Sequence, residues 1–349
     1  MRWLLWGAGI VAFGWVLRRA DLRGAFLVIA SAGPVLLLAL LPYLGQIALD
    51  ALAWRTLLGG LGHRVAWPRL IAIRLSTEAV LLSLPGGSLI GESLKPYLLH
   101  RAAAVPLSAT VASVAWKRCL LALAQAAYLT TAVATAHALY SGCSIAIVGT
   151  SRLAWYVAAV AAALAVVAVG LALILRSAAI AARVRALLAR LPVRRVQDAL
   201  ASRRDGFAAT DVALTALGQR RGRLAIASAM LYGAWLIETA ETYLLCRLVG
   251  IELDVAHVLA MEAAVVFVRN AAFFVPAGLG VQDAGYLAFL GAFAIATPLA
   301  TAFVVAKRTK ELIWIAVGYL VLATTDRRPK LADTAISVAA LGISLGGPP

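Results

Sequence analysis

The sequence predicts an all-α polytopic membrane protein with about 6–8 transmembrane helices, among them two broken helical hairpins in an inverted repeat. Three observations predict it. Mean hydropathy is +0.91, with 63% hydrophobic and 14% charged residues, outside the range of soluble domains. Uncharged runs cover residues 25–49, 153–175 and 284–306, each longer than the roughly 20 residues that cross a bilayer as helix. Finally, Pro85, Glu92 and Lys117-Arg118 recur as Pro276, Asp283 and Lys307-Arg308, with the acid seven residues after the proline both times. Strand-like alternation is too scarce for a β-barrel.

Charge placement orients these elements. Eleven arginines run from Arg176 to Arg223, opposed by Asp198, Asp205 and Asp211, which puts that segment in the cytoplasm by the positive-inside rule. The net charge of +16 therefore reads as membrane topology and not as nucleic-acid binding. Within the segment, Ile180, Val184, Leu187, Leu188 and Leu191 recur at helical spacing before Pro192. They predict an amphipathic helix on an anionic leaflet or a solvated basic loop that only sets topology.

Working outward from this anchor, residues 153–175 enter the cytoplasm, 140–152 face outward and 107–139 run from inside to outside. Lys95, His100 and Arg101 are then cytoplasmic, as are Arg55, Arg64, Arg69 and Arg74. Residues 224–246 run outward, and 299–323 return toward Asp326, Arg327, Arg328 and Lys330. Residues 71–84 and 89–100 flank Pro85-Gly86-Gly87-Ser88, while 258–275 and 284–297 flank Pro276 to Gly280. These arms are short for crossing and suit re-entrant hairpins, one from each face. A direct repeat in sequence becomes an inverted repeat in the membrane, an arrangement of transporters with a midplane site.

The expected organisation is a first membrane half over 1–175, with its hairpin at 71–100, and a basic cytoplasmic segment over 176–223. A second half follows over 224–330, with its hairpin at 258–297, and 331–349 form a tail or marginal helix. Residues 3–17 read as a short uncleaved helix, although Arg18, Arg19 and Arg23 then face outward unless that helix is interfacial. Both termini fall in the cytoplasm.

Candidate site residues follow from the repeat. Gly86, Gly87, Gly91, Gly278 and Gly280 permit close backbone approach beside Pro85 and Pro276. Free amides at a helix start attract anions such as a lipid phosphate. Glu92 and Asp283 begin the returning arms, and Lys117, Arg118, Lys307 and Arg308 supply matching bases. These acids either cap helices and pair internally with the bases, or bind polar headgroups and couple protons. Arg269 precedes the second break where Glu78 precedes the first, and is the nearest partner for Glu238, Glu241 and Glu262. Trp54, Trp67 and Trp155 near span ends read as interfacial anchors.

Cys119, Cys143 and Cys246 form no CxxC pair and the four histidines are scattered, so no metal site or disulfide framework is expected. No nucleotide-binding, zinc-hydrolase or serine-hydrolase motif is present, and neither a cofactor nor catalysis is expected.

The blocks "LPGGSLIGESLKPYLLHR" with "SVAWKR", and "FVPAGLGVQDAGYLAFLGAF" with "VAKRTKELIWI", resemble the flippase-like family also called the lysylphosphatidylglycerol synthase transmembrane region. The likeness is strongest over about 69–130 and 262–323. "DALAWRTLLGG" together with the second block resembles its hopanoid-associated branch. The resemblance implies movement of lipids between leaflets of a bacterial inner membrane, with hopanoids or anionic phospholipids as partners. Asp283 stands where such blocks often carry glutamate, Gln282 where a basic residue is common, and Lys95 where arginine is expected. The soluble domain that makes lysyl-lipid is absent from this sequence. The rival reading is a scaffold that recruits lipid-synthesis proteins through 176–223; a membrane transferase is the third.

Overall fold

The computed structural model describes residues 21–84, 87–177, 179–190, 197, 204–271 and 278–325, and every regular element among them is helical. In chain order these are α1 (Leu22–Ala32), a 3₁₀ stretch (Gly33–Leu40), α2 (Leu41–Gly60), α3 (Trp67–Ser83) and α4 (Gly87–Ala103). Next come α5 (Leu107–Val148), α6 (Leu153–Arg176), α7 (Ile180–Leu188) and α8 (Arg204–Gln219). The last four are α9 (Arg221–Leu248), α10 (Val255–Ala271), α11 (Val281–Ala292) and α12 (Thr297–Thr325). The helix expected over 3–17 and the tail at 331–349 lie outside the described residues.

Among the described residues three stretches are long and apolar enough to cross a membrane: Leu22–Gly60, Leu107–Val148 and Leu153–Arg176. The first is one path, not one uniform helix. Asp21 caps it by accepting the Gly24 N–H at 2.8 Å, and Pro34 and Pro42 sit where the backbone tightens and then resumes as α2. Proline lacks the N–H that a helix interior would need, and both occur at first-turn positions where none is needed. α9 and α12, at 28 and 29 residues, have the length to cross but carry ionised groups in mid-helix. The arms α3, α4 and α10 have 17 residues each and α11 has 12, so the expected short arms are present.

α5 departs from expectation. The span anticipated over 107–139 continues to Val148, making 42 residues or about 63 Å at the standard helical rise. Tyr140 and Cys143 are buried on the face that meets α10, and the Tyr140 hydroxyl donates to the Ala260 carbonyl at 2.8 Å. That packing continues the helix past a local kink at Ala136, until Gly149 ends it with φ 70°. Residues 140–148 thus continue the helix beyond the expected span.

The bundle is assembled by specific helix pairs. α2 lies along α9, α3 along α12, and α5 packs against α6, α9 and α10; within each short-armed pair, α3 meets α4 and α10 meets α11. Small residues set the closest approaches. A side chain at Gly91 would meet the Thr77 carbonyl oxygen at 3.0 Å, and one at Gly285 would meet Val265 at 3.3 Å. Outside, Phe26, Leu27, Val166, Val167, Leu173 and Leu320 are more than half exposed, as suits a surface solvated by lipid chains. Trp155 is 72% exposed in keeping with an interfacial anchor, but Trp54 is fully buried, its indole N–H donating to Ser113 Oγ at 3.0 Å. Trp54 is a core residue: its polar edge finds a partner inside the bundle.

The basic segment is partly folded onto this bundle. Asp211 of α8 accepts the Ala181 and Ala182 N–H groups at 2.7 and 3.0 Å and so caps α7. Leu214 and Leu217 pack with Trp116 and Leu175, and Trp116 donates to the Leu214 carbonyl at 2.9 Å. α7 forms over the expected amphipathic stretch and leaves Val184 and Leu187 exposed.

A close helix contact lies at Gly318 of α12, where an added Cβ would be 2.5 Å from the Leu75 carbonyl oxygen of α3. Gly318→Ala should lower the thermal midpoint in detergent, because overpacking costs about 1–3 kcal/mol. Gly170→Ala, with open space around it, should leave the midpoint unchanged or raise it, by up to about 1 kcal/mol of helix propensity. Equal midpoints for wild type and Gly318→Ala would contradict the α3–α12 contact.

Candidate functional site

Two acid–base clusters occupy the interior. In the first, α2, α3 and α5 converge on Asp50, whose carboxylate accepts Lys117 Nζ at 2.6 Å and Arg74 Nε at 3.0 Å. Arg74 also pairs with Glu78 one helical turn on. Glu92 of α4 pairs with Lys95 and, at 2.6 Å, with Arg118 of α5. Lys117 stands 5.2 Å over the buried Trp54 ring, so indole and carboxylate together hold the ammonium.

The second cluster joins α9, α10, α11 and α12. Asp283 accepts Arg308 Nε at 2.7 Å and the Gly280 N–H at 2.9 Å. It therefore caps α11 and fastens it to α12 at the same time. Arg308 also reaches Glu311 at 2.5 Å and the Gly278 carbonyl at 3.4 Å. Gly278 and Gly280 have φ of 60° and 77°, in the left-handed region where glycine is at ease. Lys307 pairs with Glu262, donates to Thr242 at 2.7 Å and lies 4.7 Å over the Tyr286 ring. Tyr286 in turn donates to Glu262 at 3.0 Å, and Lys310 pairs with Glu241.

The clusters meet where α2 crosses α9. Gln46 of α2 donates to Glu238 of α9 at 3.2 Å, and Lys310 lies 5.3 Å over the ring of Tyr43 on α2. Tyr43 is within electrostatic reach of Glu78 and Arg74 from one cluster and of Glu241 and Glu238 from the other. Counted over the named groups, Asp50, Glu78 and Glu92 face four bases, while Glu238, Glu241, Glu262, Asp283 and Glu311 face three. Each buried carboxylate named as paired meets a base on its own or a neighbouring helix, as buried charge requires.

The expected residues distribute as follows. Glu92, Lys117 and Arg118 share the first cluster, and Asp283, Lys307, Arg308, Gly278 and Gly280 the second. Gly91 serves the α3–α4 contact. Gly87 opens α4, and Arg269 lies on α10 in a stretch whose side chains are not described. Pro85, Gly86 and Pro276 lie outside the described residues. One expectation needs correcting. Glu92 does not cap its helix, because α4 already starts at Gly87 and Glu92 falls beyond the first turn. Arg74, expected only to be cytoplasmic, is mostly buried between Asp50 and Glu78. Glu241 and Glu262 each meet a lysine of α12.

Asp50, Lys310 and Glu311 were missed. One signal would have found Asp50: it precedes Pro85 by 35 residues, as Glu241 precedes Pro276. Among the described residues no group of histidines, cysteines and acids could hold a metal ion.

The two matching acid–arginine pairs differ in exposure. The Arg118 and Glu92 side chains are 41% and 18% exposed, but those of Arg308 and Asp283 only 11% and 2%. Arg308→Gln, which strands a buried carboxylate, should destabilise the protein by about 3–5 kcal/mol. Arg118→Gln should cost less than about 1 kcal/mol. Thermal unfolding of the two variants in one detergent checks this; equal losses would mean that the pairs are equally buried.

No curated protein and no solved structure matches the chain significantly. The family model described as the lysylphosphatidylglycerol synthase TM region matches residues 3–340, nearly the whole chain. The apolar spans, the helical bundle and this match agree: the chain is a helical membrane protein of the lysylphosphatidylglycerol synthase transmembrane-region family.

Proposed function

We propose that the protein is a multi-pass lipid flippase of a bacterial inner membrane, a carrier and not an enzyme, which moves a hopanoid or a phospholipid between leaflets. One observation carries the reading: Glu92 pairs with Arg118 as Asp283 pairs with Arg308, at matching positions of the two sequence copies. Charges at membrane depth are expensive to keep, and a matched set in two halves points to a shared site.

The inverted repeat and the re-entrant hairpins belong to this proposal. They are supported by the equivalent placement of Asp50 and Glu241 and by the pairing of helices. If the halves exchange by a two-fold axis, α2 maps onto α9, α3 onto α10, α4 onto α11 and α5 onto α12. The contact α2–α9 then maps onto itself, and α3–α12 exchanges with α10–α5; all of these contacts are present. The substrate headgroup would compete with arginine for acid, or with acid for arginine, opening one pair at a time. The exposure difference fits such a cycle, with the Glu92–Arg118 side open and the Asp283–Arg308 side sealed. The scaffold reading is weakened because α8, in the segment it relies on, packs into the bundle.

Purified protein in liposomes should accelerate movement of a fluorescent phospholipid or a hopanoid analogue. Glu92→Gln and Asp283→Asn should each reduce that rate at least tenfold while the protein stays folded, about 1.4 kcal/mol or more of barrier. Unaltered rates in both folded variants would remove the clusters from the transport site. No movement of either lipid by folded wild type would overturn the flippase reading.

A further inference from the structure

Outside the two clusters, α5, α6 and α9 enclose a groove of about 630 Å³, within the range of small-molecule sites. Its walls are apolar and small: Leu120, Leu123 and Ala124 of α5, Ala172 of α6, Ala225 and Ala229 of α9. Along α5 it extends from Trp116 to Thr131, about 22 Å of helix. One leaflet of a bilayer contributes roughly 15 Å of hydrocarbon, so the groove is long enough for a single acyl chain.

The two ends differ. Arg176, the last residue of α6, is exposed at one end and lies 6.0 Å over the ring of Trp116, which its bond to the Leu214 carbonyl holds in place. α9 begins at Arg221, three residues before the groove-lining Leu224, with no side-chain cap on its first turn. Its start adds partial positive charge beside the arginine. The far end is closed by a neutral pair, Thr131 Oγ and the Tyr232 hydroxyl, 2.9 Å apart. An apolar channel with cationic groups at one end and no charged group at the other matches an amphiphile with an anionic head.

We infer that this groove is a binding site for an anionic phospholipid of the leaflet at the Arg176 end, one acyl chain lying between α5, α6 and α9 and the headgroup at Arg176. The site uses none of the clustered acids and bases and does not depend on transport. A neutral lipid lacks the headgroup contact.

The test is photo-crosslinking of the full chain in phosphatidylcholine nanodiscs doped with phosphatidylglycerol bearing a diazirine on its acyl chain, with adducts mapped by mass spectrometry. Adducts should concentrate on 120–131, 168–172 and 224–232. Arg176→Gln should reduce them about fivefold, the worth of one basic side chain at an anionic lipid, while adducts from a diazirine-bearing phosphatidylcholine stay unchanged. Ser228→Trp, which fills the groove, should reduce adducts from both probes. Three results would overturn the site: adducts spread evenly over the exposed face of α6 at Val166, Val167 and Leu173, no effect of Arg176→Gln, or crosslinks between copies in place of lipid adducts.

Discussion

Everything in this bundle depends on the pairing of charge in a medium that cannot solvate it. Hydrocarbon offers no hydrogen bonds, so an ionised side chain at membrane depth must bring its own partner or neutralise. The chain meets this by placing its interior acids and bases on different helices: Asp50 with Lys117 and Arg74, Glu262 with Lys307, Glu241 with Lys310, Asp283 with Arg308. Each pair joins two helices, so the electrostatic requirement also fixes which helices are neighbours. Hydrophobic burial cannot do this alone, because lipid tails and leucine side chains are equally apolar.

Close packing supplies the rest. Gly91, Gly285 and Gly318 sit where another helix backbone or a branched side chain approaches within about a van der Waals contact. These glycines let short arms lie directly against longer helices, and short arms are what bring Glu92 and Asp283 to the acid–base clusters. The left-handed Gly278 and Gly280 have a further role, since Asp283 and Arg308 bind their backbone groups. The turn from Gly278 into α11 is thus fixed by the same pair that neutralises the charge.

Much of this was legible in the sequence, and the misses have physical causes. The repeat of proline, acid and basic pair identified Glu92 and Asp283 and the arginines that bind them, because spacing survives folding unchanged. The lysine partners were not legible, since contacts between distant helices leave no local trace. Asp50 looks like one isolated acid at the end of an apolar run; only its matched distance to the proline betrays it. Arg74 was read only for its charge, as cytoplasmic with Arg55, Arg64 and Arg69, although Glu78 stands four residues on, at ion-pair spacing on a helix. The full length of α5 was hidden for a related reason. Hydropathy reports where polar residues begin, while a helix ends where its backbone is capped, here at Gly149.

The asymmetry between the halves bears most directly on mechanism. Matching positions would give matching environments if the two copies were in the same state, yet one arginine–acid pair is open and the other nearly sealed. Tyr43 and the Gln46–Glu238 bond sit at the crossing of α2 and α9, a helix contact that an exchange of halves would leave in place. A rearrangement that opened the second pair and closed the first could therefore turn about that crossing without breaking it. Under the proposed flippase reading, alternating access requires two states close in energy, and the acid–base pairs on either side of that crossing are the contacts whose exchange would have to compensate.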